Sequence, residues 1–278
     1  MNLKYPGLDE FLLAALREDI GSGDISTNSC VPETAISTGI FTAKEPGVVC
    51  GLDVVLRVFS MLDERVLVTP RVKDSDFVNR SDAVAEISGP SRSILTGERT
   101  ALNLLQHLSG IATRTAEAVQ AVSGTNAKIV DTRKTTPGMR ALEKYAVRCG
   151  GGSNHRFNLA DGVLIKDNHI MAAGGITAAI EFARKNCPHT LKIEVETETL
   201  PQIAEALDAG ADIIMLDNMT VEAMAEAVKL IGGRALTEAS GNMGDRNLKA
   251  VAETGVDFIS IGALTHSVRA LDISLKFK

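Results

Sequence analysis

Between Arg133 and Lys166 the sequence gathers Arg133, Lys134, Arg140, Lys144, Arg148, His155, Arg156 and Lys166 into a chain whose formal net charge is −6. An acidic protein does not need such a cluster for solubility, so the cations point to a local anionic partner. Arginine pairs bidentately with carboxylates and phosphates through its planar fork, whereas lysine acts as a point charge suited to phosphate oxygens. Arg140, Lys144 and Arg148 recur every four residues, along one side of a helix, and read as a solvated face. Arg133, Lys134, His155, Arg156 and Lys166 remain as the anion-reading set, with Asp131 and Thr132 at its head.

Two carboxylates, Glu196 and Asp217, follow apolar runs further along. Acids beside an anion site repel its ligand unless a hard cation such as Mg²⁺ intervenes, or unless they bind sugar hydroxyls and steady a developing positive charge. A phosphorylated sugar with Mg²⁺ meets both conditions. The turns Ser240-Gly241-Asn242 and Gly262-Ala263 offer backbone N–H groups to a phosphate, and His266 follows the second. By contrast, Gly21-Ser22-Gly23-Asp24 lacks the third glycine of a dinucleotide fingerprint and follows a helical pattern instead of a strand. Gly150-Gly151-Gly152 lets the backbone bend sharply ahead of His155.

Something must bring these residues together. Short β-rich runs at Ala127–Val130, Gly162–Ile165, Leu191–Val195, Ile213–Leu216, Ala235–Thr237 and Phe258–Ile261 alternate with helical segments, which predicts βα units and a parallel sheet. In such a sheet the residues just after each strand converge on one mouth. Here they are Asp131, Arg133 and Lys134; Lys166, Asp167 and His169; Glu196; Asp217 and Asn218; Glu238, Ser240 and Gly241; then Gly262 and His266. A single charged residue after a strand is ordinarily a cap or a solvated loop. Polar groups at every strand end are a different matter, because random loops rarely supply them.

Upstream the texture differs. Leu8, Phe11, Leu12, Ala15 and Leu16 have helical spacing within Leu8–Ile20. From Cys30 to Gly89, apolar stretches at Gly39–Ala43, Val66–Val72 and Ala83–Ile87 alternate with turn residues, as in a small α+β domain with a mostly antiparallel sheet. A long helical pattern runs from Ser93 to Val122. The final stretch, Ala270–Phe277, alternates as a strand returning to the N-terminal sheet. The predicted fold is therefore α/β plus α+β. The α+β domain spans 1–108 and is rejoined by 268–278, and a closed or nearly closed α/β barrel spans 109–267 and carries the strand-end polar residues.

Composition bounds the rest. A chain of 278 residues that is 45% apolar can build a substantial core, and a pI near 5.5 argues against a nucleic-acid surface. No apolar run approaches the roughly 18 residues of a membrane span, and Met1–Ala15 lacks the basic region and cleavage site of a signal peptide. Cys30, Cys50, Cys149 and Cys187 form no C-x-x-C pair and read as reduced structural thiols of a cytoplasmic protein.

The strings DTRKTTPGMRALEKYAVRCGGGSNHR (131–156), LIKDNHI (164–170), IEVE (193–196), IMLDN (214–218), EASGN (238–242) and IGALTHS (261–267) closely resemble the quinolinate phosphoribosyltransferase family. GERTALNLLQHLSGIAT (97–113) and EDIGSGDIST (18–27) resemble its N-terminal signatures, so the likeness runs nearly end to end. It implies phosphoribosyl transfer from phosphoribosyl pyrophosphate to quinolinate with loss of CO₂ and pyrophosphate, giving nicotinate mononucleotide in NAD biosynthesis. It also implies a two-domain fold, an N-terminal α/β sandwich and an incomplete α/β, TIM-like barrel that carries the catalytic residues, in a homodimer with Mg²⁺. Carried over residue by residue, Arg133, His155, Arg156 and Lys166 would hold the quinolinate carboxylates, and Arg99 would reach the neighbouring subunit's site. Lys134, Glu196, Asp217 and the Ser240 and Gly262 turns would hold the phosphoribosyl donor. Lys134, Lys166, Glu196 and Asp217 are the expected catalytic set, with Glu196 and Asp217 as direct or indirect Mg²⁺ ligands.

Two rival readings compete. One is a barrel aldolase or decarboxylase with Lys166 as a Schiff base. The other is a non-catalytic paralogue, which would be expected to lose Lys166, Glu196 or Asp217; all are present.

Overall fold

The helical spacing near the N-terminus is realised, in the computed structural model, as the helix Leu8–Ile20, which buries Leu8, Leu12 and Leu16. The structure describes residues 6–278; Met1–Tyr5, the start of the stretch read for a leader, lie outside the described residues. The chain forms two compact units. The first comprises the described residues up to Ala116, with Thr136–Gly151 and Val268–Lys278, and the second Glu117–Thr135 and Gly152–Ser267.

In the first unit, β1 (Ile36–Ala43), β2 (Gly47–Val48), β3 (Leu67–Pro70), β4 (Phe77–Val78) and β5 (Ala83–Pro90) are all short, as alternation broken by turn residues dictates. β5 lies antiparallel to both β1 and β3, with Gly39 opposite Ile87 and Val68 opposite the same residue. β2 and β4 form a separate antiparallel pair. A helix that the alternation does not announce, Leu52–Leu62, buries Val54, Val55, Val58 and Phe59. Phe59 meets Phe41 of β1 edge to face, with ring centroids 6.5 Å apart.

The division of the chain differs from a cut after residue 108. The helix Ser91–Ala121 runs through that point without a break, with Leu104, Leu105, Leu108, Ile111 and Ala112 all buried. Its apolar stripe is continuous, so nothing in local packing would end a unit there. Thr136–Gly151 joins the first unit because the helix Arg140–Cys149 buries Leu142, Ala146 and Val147. Glu143 of that helix lies 2.9 Å from His107 Nε2 on the long helix.

The solvated-face reading of Arg140, Lys144 and Arg148 needs correction. Arg148 is exposed, but Arg140 is half-buried and Lys144 is 1% exposed. The helix packs Leu142, Glu143, Lys144, Ala146 and Val147 inward, so the middle of the charged row is covered along with the apolar one. Cysteines far apart in sequence also meet: Cys50 and Cys149 sulfurs and an Asp74 oxygen lie within 4.8 Å of one another. Asp74 is already committed, since Oδ1 accepts from Gly51 N and Leu52 N and Oδ2 from Tyr145 Oη. The four thiols are free.

In the second unit, β6 (Lys128–Val130), β7 (Val163–Ile165), β8 (Ile193–Thr197), β9 (Ile213–Asp217), β10 (Leu236–Ser240) and β11 (Phe258–Ser260) form one parallel sheet ordered β6-β11-β10-β9-β8-β7. β6 and β7 are its two edges, so the TIM-like barrel is incomplete between them. A single parallel bridge from Val130 to Ser153 extends the β6 edge. Side-chain caps start the following helices: Thr199 accepts from Gln202 N, Thr220 from Ala223 N and Asn247 from Ala250 N. Thr199 and Thr220 begin their helices within three residues of a strand end, and Asn247 does so after a short turn beyond β10, which leaves the strand termini as the open mouth. The chain closes with β12 (Ile273–Phe277), antiparallel to β1 in the first unit, with Leu275 opposite Phe41. Among the described residues no helix is long and apolar enough to cross a membrane.

Candidate active site

Successive side chains of a strand point to opposite faces, so Glu194 and Glu196 of β8 share a face, as do Met215 and Asp217 of β9, and Glu238 and Ser240 of β10. Register aligns them: Glu196 is opposite Met215, which is opposite Glu238, and Asp217 is opposite Ser240. Glu196, Met215, Asp217, Glu238 and Ser240, with the loops beyond them, line a cleft of about 710 Å³ in the second unit, a volume suited to small molecules.

The loop after β6 supplies Thr132, Arg133 and Lys134. Thr132 Oγ1 accepts from Lys134 N at 3.0 Å, and Thr265 Oγ1 donates to the Lys134 carbonyl at 2.7 Å, so the backbone that carries Lys134 is tied at both ends. Arg156 Nη1 donates to the Gly162 carbonyl at 3.0 Å. Burial first, and then the Arg133 charge, hold the Arg156 guanidinium below its usual range. Two sheltered like charges in one cleft favour a bound anion.

Asp131 has another job. It is fully buried, accepting from His155 N at 2.9 Å and Asn154 Nδ2 at 2.5 Å, and so acts as a strut that brings residues 154–156 to the mouth. His155 Nδ1 accepts from Arg156 N at 2.7 Å. Its Nε2 lies 3.1 Å from Glu194 Oε2 and 3.5 Å from Glu238 Oε2. Burial, followed by the Glu194 charge, pushes the Glu238 carboxyl up to about 7.

Lys166 Nζ is in contact with Glu196 Oε2. Asp217 Oδ2 accepts from Asn218 Nδ2 at 2.7 Å. Each phosphate-suited turn contains a glycine, and the first of them requires it. Gly241 has φ +94°, and a Cβ there would lie 2.2 Å from Asn218 Oδ1. At Gly262 a Cβ would lie 3.0 Å from Lys134 Cδ, so a side chain there would push that lysine back by a few tenths of an ångström. Asn218 and Asn242 take left-handed backbone conformations, which asparagine tolerates better than most residues.

Thr132, Arg133, Lys134, His155, Arg156, Lys166, Glu196, Asp217, Ser240, Gly241, Asn242, Gly262, Ala263 and His266 all line the cleft. Arg99 does not: it is exposed on the helix Ser91–Ala121 of the first unit. Asp167 and His169 also fall outside the lining, because they cap the helix Asp167–Ala173. His169 Nδ1 accepts from Lys166 N, and Asp167 Oδ1 from Asn168 N. Sequence reasoning missed Glu194 as a site residue and left Glu238 as a strand-end polar group. The signal was present, since an acid between Ile193 and Val195 in a strand buried on both faces cannot be a solvated residue.

The chain matches the quinolinate phosphoribosyl transferase C-terminal domain over residues 111–276 and the N-terminal domain of the same family over 24–109. A nicotinate-nucleotide pyrophosphorylase [carboxylating] from Mycobacterium leprae is 46% identical, with 94% of each chain covered. The chloroplastic enzyme of that name from Oryza sativa subsp. japonica is 43% identical, covering 94% of this chain and 75% of the relative. Among solved structures, NadC from Streptococcus pyogenes superposes with a TM-score of 0.93 at 46% identity, covering 100% of this chain and 99% of that one. The nicotinate-nucleotide pyrophosphorylase of Francisella tularensis gives 0.94 at 42%, covering 99% and 98%.

Proposed function

The chain belongs to the quinolinate phosphoribosyltransferase family, and from that premise we propose that it transfers phosphoribosyl from phosphoribosyl pyrophosphate to the ring nitrogen of quinolinate. CO₂ and pyrophosphate are released, and the product is nicotinate mononucleotide, a precursor of NAD. The observation that carries this reading is one cleft holding two sheltered guanidiniums, two lysines and two strand-end carboxylates. A dicarboxylate and a sugar pyrophosphate together call for that set, and neither alone explains it.

Arg133 and Arg156 present forks to the quinolinate carboxylates, with His155 and Lys166 beside them. Lys134, His266 and the backbone amides of Ser240-Gly241-Asn242 and Gly262-Ala263 take the phosphate and pyrophosphate oxygens. The bond from C1′ to the pyrophosphate oxygen breaks with its electron pair on pyrophosphate, and C1′ gains oxocarbenium character. Glu196 and Asp217 have the sign to stabilise it. The lone pair of the ring nitrogen then forms the bond to C1′, which leaves that nitrogen cationic. When the adjacent carbon loses CO₂, its retained electron pair is stabilised by this cation until a proton arrives, so no separate decarboxylation cofactor is required.

Glu196 and Asp217, hard oxygen donors on neighbouring strands, suit Mg²⁺, which keeps most of its shell as water and substrate oxygens and so needs few protein ligands. When bound, it would neutralise charge on the departing pyrophosphate. We extend the reading to a cytoplasmic enzyme, supported by four free thiols, and to a homodimer in which Arg99, exposed on its own chain, completes the partner's site. Mixing Arg99→Ala and Lys166→Ala chains, each inactive alone, is expected to restore about one quarter of wild-type activity. Half of a random mixture is heterodimer, with one intact site in two; no restoration would remove the shared site. The reaction itself is tested by incubating the protein with quinolinate, phosphoribosyl pyrophosphate and Mg²⁺. Nicotinate mononucleotide and CO₂ are expected in equal amounts, and their absence would refute the assignment. Borohydride trapping of Lys166 with a carbonyl substrate would favour the aldolase reading instead.

A further inference from the structure

We infer that Glu194 and Glu238 are positioning residues for the quinolinate carboxylate site: they hold the Nε2–H of His155, and His155 holds the Arg156 backbone through Nδ1 instead of reading the substrate itself. The inference rests on the reaction proposed above and revises the role of one of its residues.

The hydrogen-bond pattern fixes the tautomer. The Arg156 backbone N–H lies 2.7 Å from His155 Nδ1, and a backbone N–H can only donate. Nδ1 is therefore the unprotonated nitrogen, and a neutral ring carries its proton on Nε2. That N–H faces Glu194 Oε2 at 3.1 Å and Glu238 Oε2 at 3.5 Å. Both ring nitrogens are thus already engaged, which leaves the imidazole poorly placed to address a substrate carboxylate.

The same pattern decides against a metal. An imidazole and two carboxylates whose ligand atoms lie within 4.8 Å of one another have the composition of a divalent cation site. A cation on Nε2 would need that nitrogen's lone pair, which puts the proton on Nδ1, facing the Arg156 N–H. A metal-binding histidine also donates from its other ring nitrogen, whereas this one accepts.

What remains is mechanical. Glu194 and Glu238 stand on β8 and β10, the two strands flanking β9, and are 5% and 3% exposed. Among the described residues, the Oε1 of each is buried and has no hydrogen-bond partner. Unpartnered buried carboxylate oxygens are costly, so stability does not account for two of them beneath a cleft. Their placement on separate rigid strands holds the ring from two sides. Arg156 is then held at both ends, by His155 at the backbone and by the Gly162 carbonyl at the guanidinium. A fork aimed this way meets a planar carboxylate without having to be ordered on binding.

The test measures each substrate's KM separately. His155→Leu is expected to raise the KM for quinolinate about thirtyfold and Glu238→Leu about tenfold, with kcat and the KM for phosphoribosyl pyrophosphate within about twofold of wild type. Because the acids act through His155, adding Glu238→Leu to His155→Leu should change nothing further. Equal rises in both KM values, or additive losses in the double variant, would overturn the inference. In case the variants do not fold, ¹⁵N NMR of the unaltered protein reads the tautomer directly. Protonated Nε2 and bare Nδ1 at His155 are expected, and the reverse would overturn the inference equally. A wild-type chain without turnover would remove the function reading, and this inference with it; turnover combined with any contrary result here removes the inference alone.

Discussion

Arg133→Ala is expected to lower kcat/KM for quinolinate by about 10²- to 10³-fold while leaving the KM for phosphoribosyl pyrophosphate within about threefold of wild type. A charge-assisted hydrogen bond sheltered from water contributes about 1.5–3 kcal/mol, and a bidentate fork makes two, so a loss near 3–4 kcal/mol corresponds to that range. Shelter is what makes the estimate apply. Arg133 is half-buried at the cleft and stands close enough to Arg156 for its charge to weigh on that group. Removing one of two like charges also relieves the other, since the Arg133 charge weighs on the Arg156 guanidinium. The loss should appear in the steady-state kinetics for quinolinate. Arg133→Lys discriminates further: it keeps the charge but not the fork, and most of the loss should remain. Equal damage to both substrates' KM values would mean that Arg133 supports the cleft as a whole and does not read a carboxylate.

How far the site was legible in the sequence depended on where each residue stands along its strand. Residues just beyond β6 to β11 were recoverable because a parallel sheet sends all its C-terminal ends to one mouth. Thr132 to Lys134, Lys166, Glu196, Asp217, Ser240 and Gly262 needed only that rule. Asp167 and His169 obeyed it too, yet turned to cap a helix, because the first residues after a strand serve whichever backbone group is nearest. Glu194 sits one turn of the pleat deeper, inside the strand, where position after a run says nothing. Lys144 failed for the opposite reason. Spacing of four fixes which side chains share a helix face but not which way that face points, and the covering elements come from distant parts of the chain. The division into units was legible only in part: the return of 268–278 followed from its alternation, whereas an unbroken helix and a returning segment of residues 136–151 are tertiary facts. Arg99 lay within a motif that resembled the family, and neither spacing nor its exposed setting in one chain assigns it a substrate.

The carboxylates at the mouth carry the other large expectation, and their different surroundings decide which to test. Glu196 is in contact with Lys166, so its charge is largely answered within the free protein, and Glu196→Gln would strand the lysine and disturb anion binding as well. Asp217 accepts only a neutral amide hydrogen bond, from Asn218, among its described contacts, so its charge is available to the reacting sugar or to Mg²⁺. Asp217→Asn keeps the shape and removes the charge. If that charge matters chiefly as C1′ becomes cationic, the variant should bind both substrates nearly as wild type does and lose kcat by about 10²- to 10³-fold, the cost of about 3–4 kcal/mol for one misplaced electrostatic partner of a transition state. Single-turnover measurements at saturating quinolinate, phosphoribosyl pyrophosphate and Mg²⁺ isolate the chemical step from product release. An unchanged single-turnover rate with a raised KM for phosphoribosyl pyrophosphate would assign Asp217 to ground-state binding. Lys166→Ala provides the contrast. It frees the Glu196 carboxylate and removes an anion contact together, so its loss should divide between KM and kcat, whereas a loss at Asp217 confined to kcat would mark the carboxylate that answers charge appearing only as the bond to pyrophosphate breaks.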